Sequence, residues 1–346
     1  MAMQPLVSIL IPAHNARRWI GATIESALAQ TWPRREIIVV ENGSSDGTAE
    51  VARRYEWRGV KVVEQEKAAG CAARNRAFGL SRGDYIQWLD ADDLLAPDKI
   101  ERQMEVALAS GSPRVLLSSG FGSFYRRPRA AVFRPTGLWE DLDPVEWLCR
   151  KLGRNLWLQT ATWLVSRELT EEAGPWDEEL HKDQDGEYAC RLVRACERVR
   201  FVGAARVYYR ITGASSVGYL GNSASKQDSV FRSAELCIGY MRLLEDSART
   251  RDAALRLLQD LFHIYDPGRP DIAGRMQEMA AELGGTLVRP ALEWKYAWID
   301  RVFGRCAALA ARRIYNRHKT AWKIGWDGVL QRIEMWTGGG RAGQWG

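Results

Sequence analysis

Apolar and polar positions alternate in blocks along the first third of the chain. Val7-Ser8-Ile9-Leu10-Ile11 is a short apolar run, stopped by Pro12 and the polar turn Ala13-His14-Asn15. Residues 18–30 follow with Ile20, Ile24, Ala27 and Leu28 on one helical face. Ile37-Ile38-Val39-Val40 is β-branched throughout, the pattern of a strand covered on both sides. It breaks at Glu41-Asn42-Gly43-Ser44-Ser45-Asp46-Gly47-Thr48, where Asp46 or Ser45 is placed to cap a helix over 48–55. Val60-Lys61-Val62-Val63 predicts a third strand, residues 69–80 a Gly/Ala-rich helix, and Tyr85-Ile86-Gln87-Trp88-Leu89 a fourth strand.

Strands alternating with helices at this spacing imply an α/β fold with a parallel, doubly wound sheet. Ligands of such sheets bind outside the carboxyl ends of the strands. Three polar segments stand there: Ala13-His14-Asn15, Glu41-Asn42-Gly43 and Asp90-Ala91-Asp92-Asp93. Further on, residues 108–209 mix short strands (115–117, 198–202, 207–209) with aromatic-rich helices. From Lys226 the pattern is helical, with breaks at Asp266-Pro267-Gly268 and Gly284-Gly285. The sequence divides into 1–218, a helical region 219–337, and a Gly-rich tail 338–346 expected to be disordered.

The acidic segment carries the most chemistry. Three carboxylates in four residues at the mouth of a buried strand repel one another, so they imply a bound cation or wide exposure to water. A hard, oxygen-only ligand set favours Mg²⁺ or Mn²⁺ over zinc, and Mg²⁺ is often held by one or two carboxylates plus substrate phosphates. The plainer alternative is an acidic loop that caps a helix starting at Pro97. A second acidic group, Asp183, Asp185 and Glu187, precedes a helical stretch over 186–195.

Composition narrows the class. At 346 residues, 46% hydrophobic and 27% charged, the chain can bury a full core and has room for about two domains. Its six cysteines form no CxxC pair, so reduced thiols in a cytosolic compartment are expected, and no signal peptide is visible ahead of the first strand. A net charge of +6 suits an anionic ligand or an anionic membrane surface and does not argue for nucleic acid.

The segments Val7 to Asn15, Gln30-Thr31-Trp32, Glu36 to Thr48, Ala73-Arg74-Asn75, Gly83-Asp84-Tyr85 and Leu89 to Asp93 resemble, in order, those of family 2 glycosyltransferases. Gly174-Pro175-Trp176-Asp177-Glu178 and Asp183 to Tyr188 with Arg191 extend the resemblance over roughly the first 218 residues. It implies a GT-A-type mixed sheet flanked by helices, with a nucleotide-sugar half (1–105), an acceptor half (106–218) and a helical C-terminal extension. The implied activity is metal-assisted transfer of a sugar, with inversion, from a nucleotide donor (UDP- or dTDP-linked) to an acceptor hydroxyl. The products in view are polysaccharide, glycolipid or glycoconjugate. The resemblance places Pro12, His14, Asn15, Glu41, Asn42, Arg74, Asp90 and Ala91 around the nucleotide-sugar, Asp92 on the Mg²⁺ or Mn²⁺ ion, and Asp185 as general base. His14 stands where Tyr is common, Asn42 where an acid is common, and Thr212 where many relatives have His; Tyr208-Tyr209-Arg210 followed by Gly213-Ala214-Ser215-Ser216 resembles the loop closing over the donor.

Trp157, Gln159, Trp163 and Glu187 are the expected acceptor contacts, since indoles can lie on the apolar faces of sugars, although most of the 15 tryptophans are expected in the core. A saccharide or lipid-linked saccharide is the expected acceptor. In the C-terminal third, Trp298, Phe303, Leu309, Ile314, Tyr315, Trp322, Ile324 and Trp326 mix with Arg301, Arg305, Arg312, Arg313, Arg317, Lys319 and Lys323. That pattern fits either peripheral contact with the cytoplasmic face of a membrane or a helix packed on the catalytic domain with a solvated basic face. The rival enzymatic reading, a nucleotidyltransferase, wants a Gly-rich basic loop after the first strand, and Pro12-Ala13-His14-Asn15 is not one. A non-catalytic nucleotide-sugar binder would have no need of the second acidic group.

Overall fold

The computed structural model describes residues 4–212, 223–266, 268–289 and 294–336. The first half runs β1 (Val7–Ala13), α1 (Ile20–Leu28), β2 (Arg35–Asn42), α2 (Thr48–Arg53), β3 (Val60–Gln65), α3 (Gly70–Leu80), β4 (Tyr85–Trp88), β5 (Leu94–Leu95), α4 (Lys99–Ser110) and β6 (Val115–Phe124). It continues through β7 (Val132–Phe133), α5 (Pro144–Gly153), β8 (Val165–Ser166), α6 (Arg167–Ala173), α7 (Gln184–Ala195) and β9 (Arg198–Arg210). Five helices follow: α8 (Ala224–Leu244), α9 (Ala248–Tyr265), α10 (Pro270–Glu282), α11 (Trp294–Phe303) and α12 (Arg305–Trp336).

The main sheet has the order β3-β2-β1-β4-β8, parallel except for the antiparallel edge strand β8. Alternation along each strand divides the side chains between two cores. Leu10, Ile38, Val40, Ile86 and Trp88 face one side, while Val7, Ile9, Ile11, Ile37 and Val39 face the other. A one-residue slip in register would exchange the two sets, so helices on both faces lock the pairing. This is a mixed sheet flanked by helices, as the resemblance implied. The first core is continuous from Leu10 to Leu287, so α8, α9 and α10 share it with the sheet.

A second sheet, β5-β9-β6-β7, lies beside the first. Residues 198–202 and 207–209, read from sequence as two strands, are one strand, β9. Its pairing to β6 jumps from Ser119↔Val202 to Gly120↔Arg206, so Gly203-Ala204-Ala205 bulge out of the ladder. Such a bulge bends and twists a strand, re-aiming its end; here that end carries Tyr209 and Arg210.

The acidic segment does not cap the next helix. β5 separates it from α4, whose own N-cap residue, Asp98, makes no side-chain capping bond. At the start of α2, Gly47 occupies the N-cap at φ 87°, while Asp46 accepts from the Thr48 amide at 3.0 Å. Cys71, Cys149, Cys190, Cys196 and Cys237 are free thiols. No described helix is long and apolar enough to cross a membrane. The expected donor-closing loop, Gly213 to Ser216, and the Gly-rich tail lie outside the described residues.

Candidate active site

The carboxyl ends of β1, β2 and β4 meet on one edge of the main sheet, where their loops are laced together. His14 Nδ1 donates to the Asn42 carbonyl at 2.9 Å, which leaves Nε2 as the acceptor, 3.2 Å from Asn15 Nδ2. The Asn15 amide donates to Ser44 Oγ, and Asn15 Oδ1 accepts from the Ser45 amide. His14 and Asn15 remain exposed, and Pro12 is half-buried beneath them. At the adjacent turn Gly43 has φ 64°, and an added Cβ would sit 2.7 Å from the Lys67 amide nitrogen, so only glycine fits.

Two of the sequence-predicted nucleotide contacts have their side chains turned inward. Glu41 is 4% exposed and accepts from the Ser44 amide at 2.6 Å. Asn42, equally buried, gives Nδ2 to the Ala68 carbonyl and takes the Gln65 amide and the Ala68 N–H on Oδ1. The Asn42 side chain is occupied in building the turn, and Glu41 gives one of its two carboxylate oxygens to it.

The three acids after β4 have different surroundings. Asp93 is fully buried and accepts from the Arg210 amide at 2.8 Å and from Gln159 Nε2; burial, Asp92 and Asp90 push its carboxyl well up. Asp90 is bound by Arg74 Nη2 at 2.7 Å. Asp92 makes no side-chain hydrogen bond or ion pair among the described residues. Burial and the charge on Asp90 raise it to about 6, against the pull of Arg210. Ala91 is buried, and its carbonyl accepts from Thr23 Oγ1 at 2.9 Å, which ties the loop to α1.

Arg74, on α3, joins this loop to the second acidic group. Its guanidinium lies 4.6 Å over the Trp176 ring and reaches Asp185 Oδ1 at 3.6 Å. Asp185 is in the first turn of α7, where the N-terminal amides favour negative charge. Burial raises its carboxyl above the ordinary range, opposed by Arg74 and reinforced by Asp90. Arg74 Nε, Thr160 Oγ1 and Asp185 Oδ1 are buried polar atoms without hydrogen-bond partners. Each such atom costs about 1–3 kcal/mol if nothing reaches it. The Asp185 side chain is nonetheless 35% exposed, so the cleft is open to a ligand.

Three expected acceptor contacts have their side chains inside the protein. Glu187 is 1% exposed, held twice by Arg191 (2.6 and 2.9 Å) and by the Tyr240 hydroxyl at 3.0 Å. Gln159 is buried between Asp93 and the Ala161 amide. Trp163 is core, and its carbonyl accepts from the buried Lys99 ammonium. The side-chain polar atoms of Glu187 and Gln159 are paired inside the protein, and the Trp163 ring is 2% exposed. Trp157 alone of the four is open, 48% exposed and packed against Phe121 and Tyr209 at ring separations of 5.1 and 4.7 Å.

Two further residues belong to the site. Burial first, and then the charges on Asp93, Asp92, Asp90 and Asp185, raise the Tyr209 phenol, and its ring packs 4.7 Å from that of Trp157. Arg210 is clamped between Trp19 and Phe124, 4.4 and 4.5 Å from their rings, and its Nε donates to the Asp92 carbonyl at 2.8 Å. Their sequence signal was the aromatic-basic run Tyr208-Tyr209-Arg210.

Among the described residues no three metal-ligating side chains converge. With Asp90 held by Arg74 and Asp93 internal, Asp92 is the one acid of the three left to offer a cation. One carboxylate with the rest of the shell from substrate phosphates is a usual Mg²⁺ arrangement, so the residues fit the ion.

Residues 8–143 match the sequence model of Glycosyl transferase family 2. Over 105 residues the chain is 41% identical to TuaG of Bacillus subtilis (strain 168), a glycosyltransferase assigned by name to teichuronic acid biosynthesis; this covers 30% of the chain and 42% of TuaG. Over 192 residues it is 30% identical to an uncharacterized glycosyltransferase of Rickettsia typhi, covering 55% of the chain and 59% of that protein. The chain thus spans about half the length of these relatives. Among solved structures, S. aureus TarS residues 1–349 in complex with UDP-GlcNAc superposes with a TM-score of 0.62 at 15% identity, over 80% of this chain and 79% of that one. That likeness establishes the fold.

Proposed function

We propose, from the match of residues 8–143 to the Glycosyl transferase family 2 model, that this chain transfers a sugar from a nucleoside-diphosphate donor to an acceptor hydroxyl with inversion, in the synthesis of an envelope polysaccharide or related glycoconjugate. The observation that carries the reading is Arg74, which binds Asp90 at 2.7 Å and reaches Asp185 at 3.6 Å, so that two acids from distant segments face one open cleft.

The donor lies along the carboxyl edge of the main sheet, with its base against Pro12, His14 and Asn15 and its ribose side toward Asp90. Since the Glu41 and Asn42 side chains are internal, the base is read by the exposed turn and its backbone. Asp92 would hold Mg²⁺ or Mn²⁺, which would supply charge neutralisation for the leaving diphosphate.

The acceptor oxygen attacks the anomeric carbon as the bond to the diphosphate breaks, and its proton passes to Asp185. An ordinary aspartate is a weak base for a hydroxyl. Burial raises Asp185 toward a useful strength, and Arg74 fixes its position while keeping it charged. Trp157 and Tyr209 form an aromatic wall against which a sugar ring can lie.

The TarS complex with UDP-GlcNAc makes UDP-sugars the first donors to test. A panel of UDP- and dTDP-sugars is assayed for donor hydrolysis and transfer with Mg²⁺ or Mn²⁺. Turnover that EDTA removes is expected. Asp185→Asn should keep nucleotide binding and lose about 10²–10⁴-fold in transfer. Equal loss of binding and transfer would give Asp185 a structural role, and no turnover with any donor would overturn the reading.

A further inference from the structure

The chain's excess charge is concentrated at one place. Between Trp294 and Trp336, α11 and α12 carry nine Lys and Arg against three Asp and Glu, an excess of six that equals the +6 of the whole chain. The remainder of the protein carries equal numbers of basic and acidic residues, so this helical pair accounts for the net excess.

The same segment exposes apolar surface in a regular array. On α12, Tyr315, Trp322, Trp326, Val329 and Ile333 follow one another at steps of seven, four, three and four residues, which stacks them on one helical face. They are between 38% and 69% exposed, and Trp322 and Trp326 stack in parallel at 6.3 Å. Lys319 and Lys323 border the stripe. On α11, Trp294, Trp298 and Phe303 are also exposed.

The opposite side of α12 is seated on the protein. Asp327, 9% exposed, accepts from the Arg126 amide and from Arg127 Nε, both at 2.9 Å. At Gly328 a Cβ would lie 2.9 Å from Arg126 Nε, so glycine permits the close approach. The helix is therefore held by one face with its aromatic stripe turned outward. The seat, residues 126 and 127, follows directly on β6, whose last residue Phe124 packs on Arg210 in the cleft.

We propose that α12, assisted by α11, docks this protein on an anionic phospholipid surface, with the Trp322/Trp326 stripe in the headgroup region and the flanking lysines against acidic lipid. Exposed tryptophan and tyrosine beside lysine and arginine on an amphipathic helix is the combination that lies in a bilayer interface. A net excess of six positive charges supplies the complementarity to anionic lipid that a neutral aromatic surface lacks. Docking is independent of whether the cleft transfers sugar.

The test uses the full chain and phosphatidylcholine vesicles with and without phosphatidylglycerol at about one lipid in three, scored by flotation at low and high salt. Binding is expected only to the anionic vesicles and should weaken with salt. Each Lys or Arg near such a surface is worth about fivefold in partition, so Lys319→Glu with Lys323→Glu should lower binding by more than about tenfold. Trp322→Ser with Trp326→Ser should lower it as well, with the melting temperature unchanged because both rings are exposed. Wild-type protein that stays at the bottom with anionic vesicles at low salt overturns the proposal. So do variants that float as well as wild type. Conversion of a dimer to a monomer by the tryptophan pair, with flotation unaltered, would assign the stripe to contact between copies and also overturn it.

Discussion

Replacing Asp92 by Asn should make the metal-free protein more stable while removing its activity. The carboxyl of Asp92 is raised from 3.8 to about 6, first by burial and then by Asp90. A carboxyl raised on folding holds its proton more tightly in the native than in the unfolded chain. Stability therefore falls as pH climbs from 3.8 through about 6, and stays lower above that. The full rise corresponds to about 3 kcal/mol, which solvent screening of the half-buried group reduces to about 1–3 kcal/mol. Asparagine keeps the shape and removes the charge. Urea unfolding in EDTA should accordingly show the variant more stable by that amount at pH 8, with the gain shrinking toward zero at pH 4. With the ion held by Asp92 as proposed, Mn²⁺ with UDP should stabilise the wild type and leave the variant unmoved. An equal gain at both pH values, or a loss at pH 8, would refute the argument that the buried charge is what costs stability.

Arg74→Ala removes the cation that opposes the rise of Asp185; the acid limb of kcat/KM should move up by about one pH unit or more, and an unmoved limb would separate Arg74 from the base. Glu187→Ala leaves Arg191, whose side chain is 12% exposed, without its carboxylate. The expected cost is about 3–5 kcal/mol in denaturant unfolding, and preserved stability with a raised acceptor KM would restore the acceptor role. Trp157→Ala, at a half-exposed ring, should raise acceptor KM with little change in stability; a large loss of stability with KM unchanged would make the ring structural.

The fold was largely legible because its signals are local. Apolar runs of strand length, separated by helical periodicity, located β1 to β4, and β-branched Ile37-Ile38-Val39-Val40 correctly announced a strand buried on both faces. The second sheet was harder. Gly203-Ala204-Ala205 breaks the apolar pattern of β9, and only pairing with β6 shows that the strand continues across the bulge. In the cleft, residue type and position at a strand end singled out the segment Asp90 to Asp93, while Asp185, in the first turn of α7, was picked out by the family resemblance. Glu187 and Gln159 were assigned to ligand because they are polar and near those acids, but they face inward. Their partners, Arg191, Tyr240 and Asp93, take up the groups that a ligand would need.

The sequence by itself determined which chemistry the chain carries: a parallel α/β scaffold, acids at the ends of its strands, and a basic aromatic C-terminal segment. Tertiary structure alone decided which of those groups are free to act. Arg74 meets Gln184 across 110 positions of chain, and Arg210 meets Asp93 across 117. A carboxylate's availability depends on such contacts, because burial and pairing set its charge and orientation, and neither is encoded in the spacing of its neighbours along the chain. The same reason separates the two faces of α12: periodicity places Asp327 and Trp326 on different sides, and only the contact of Asp327 with Arg126 and Arg127 shows which side is left to the surroundings.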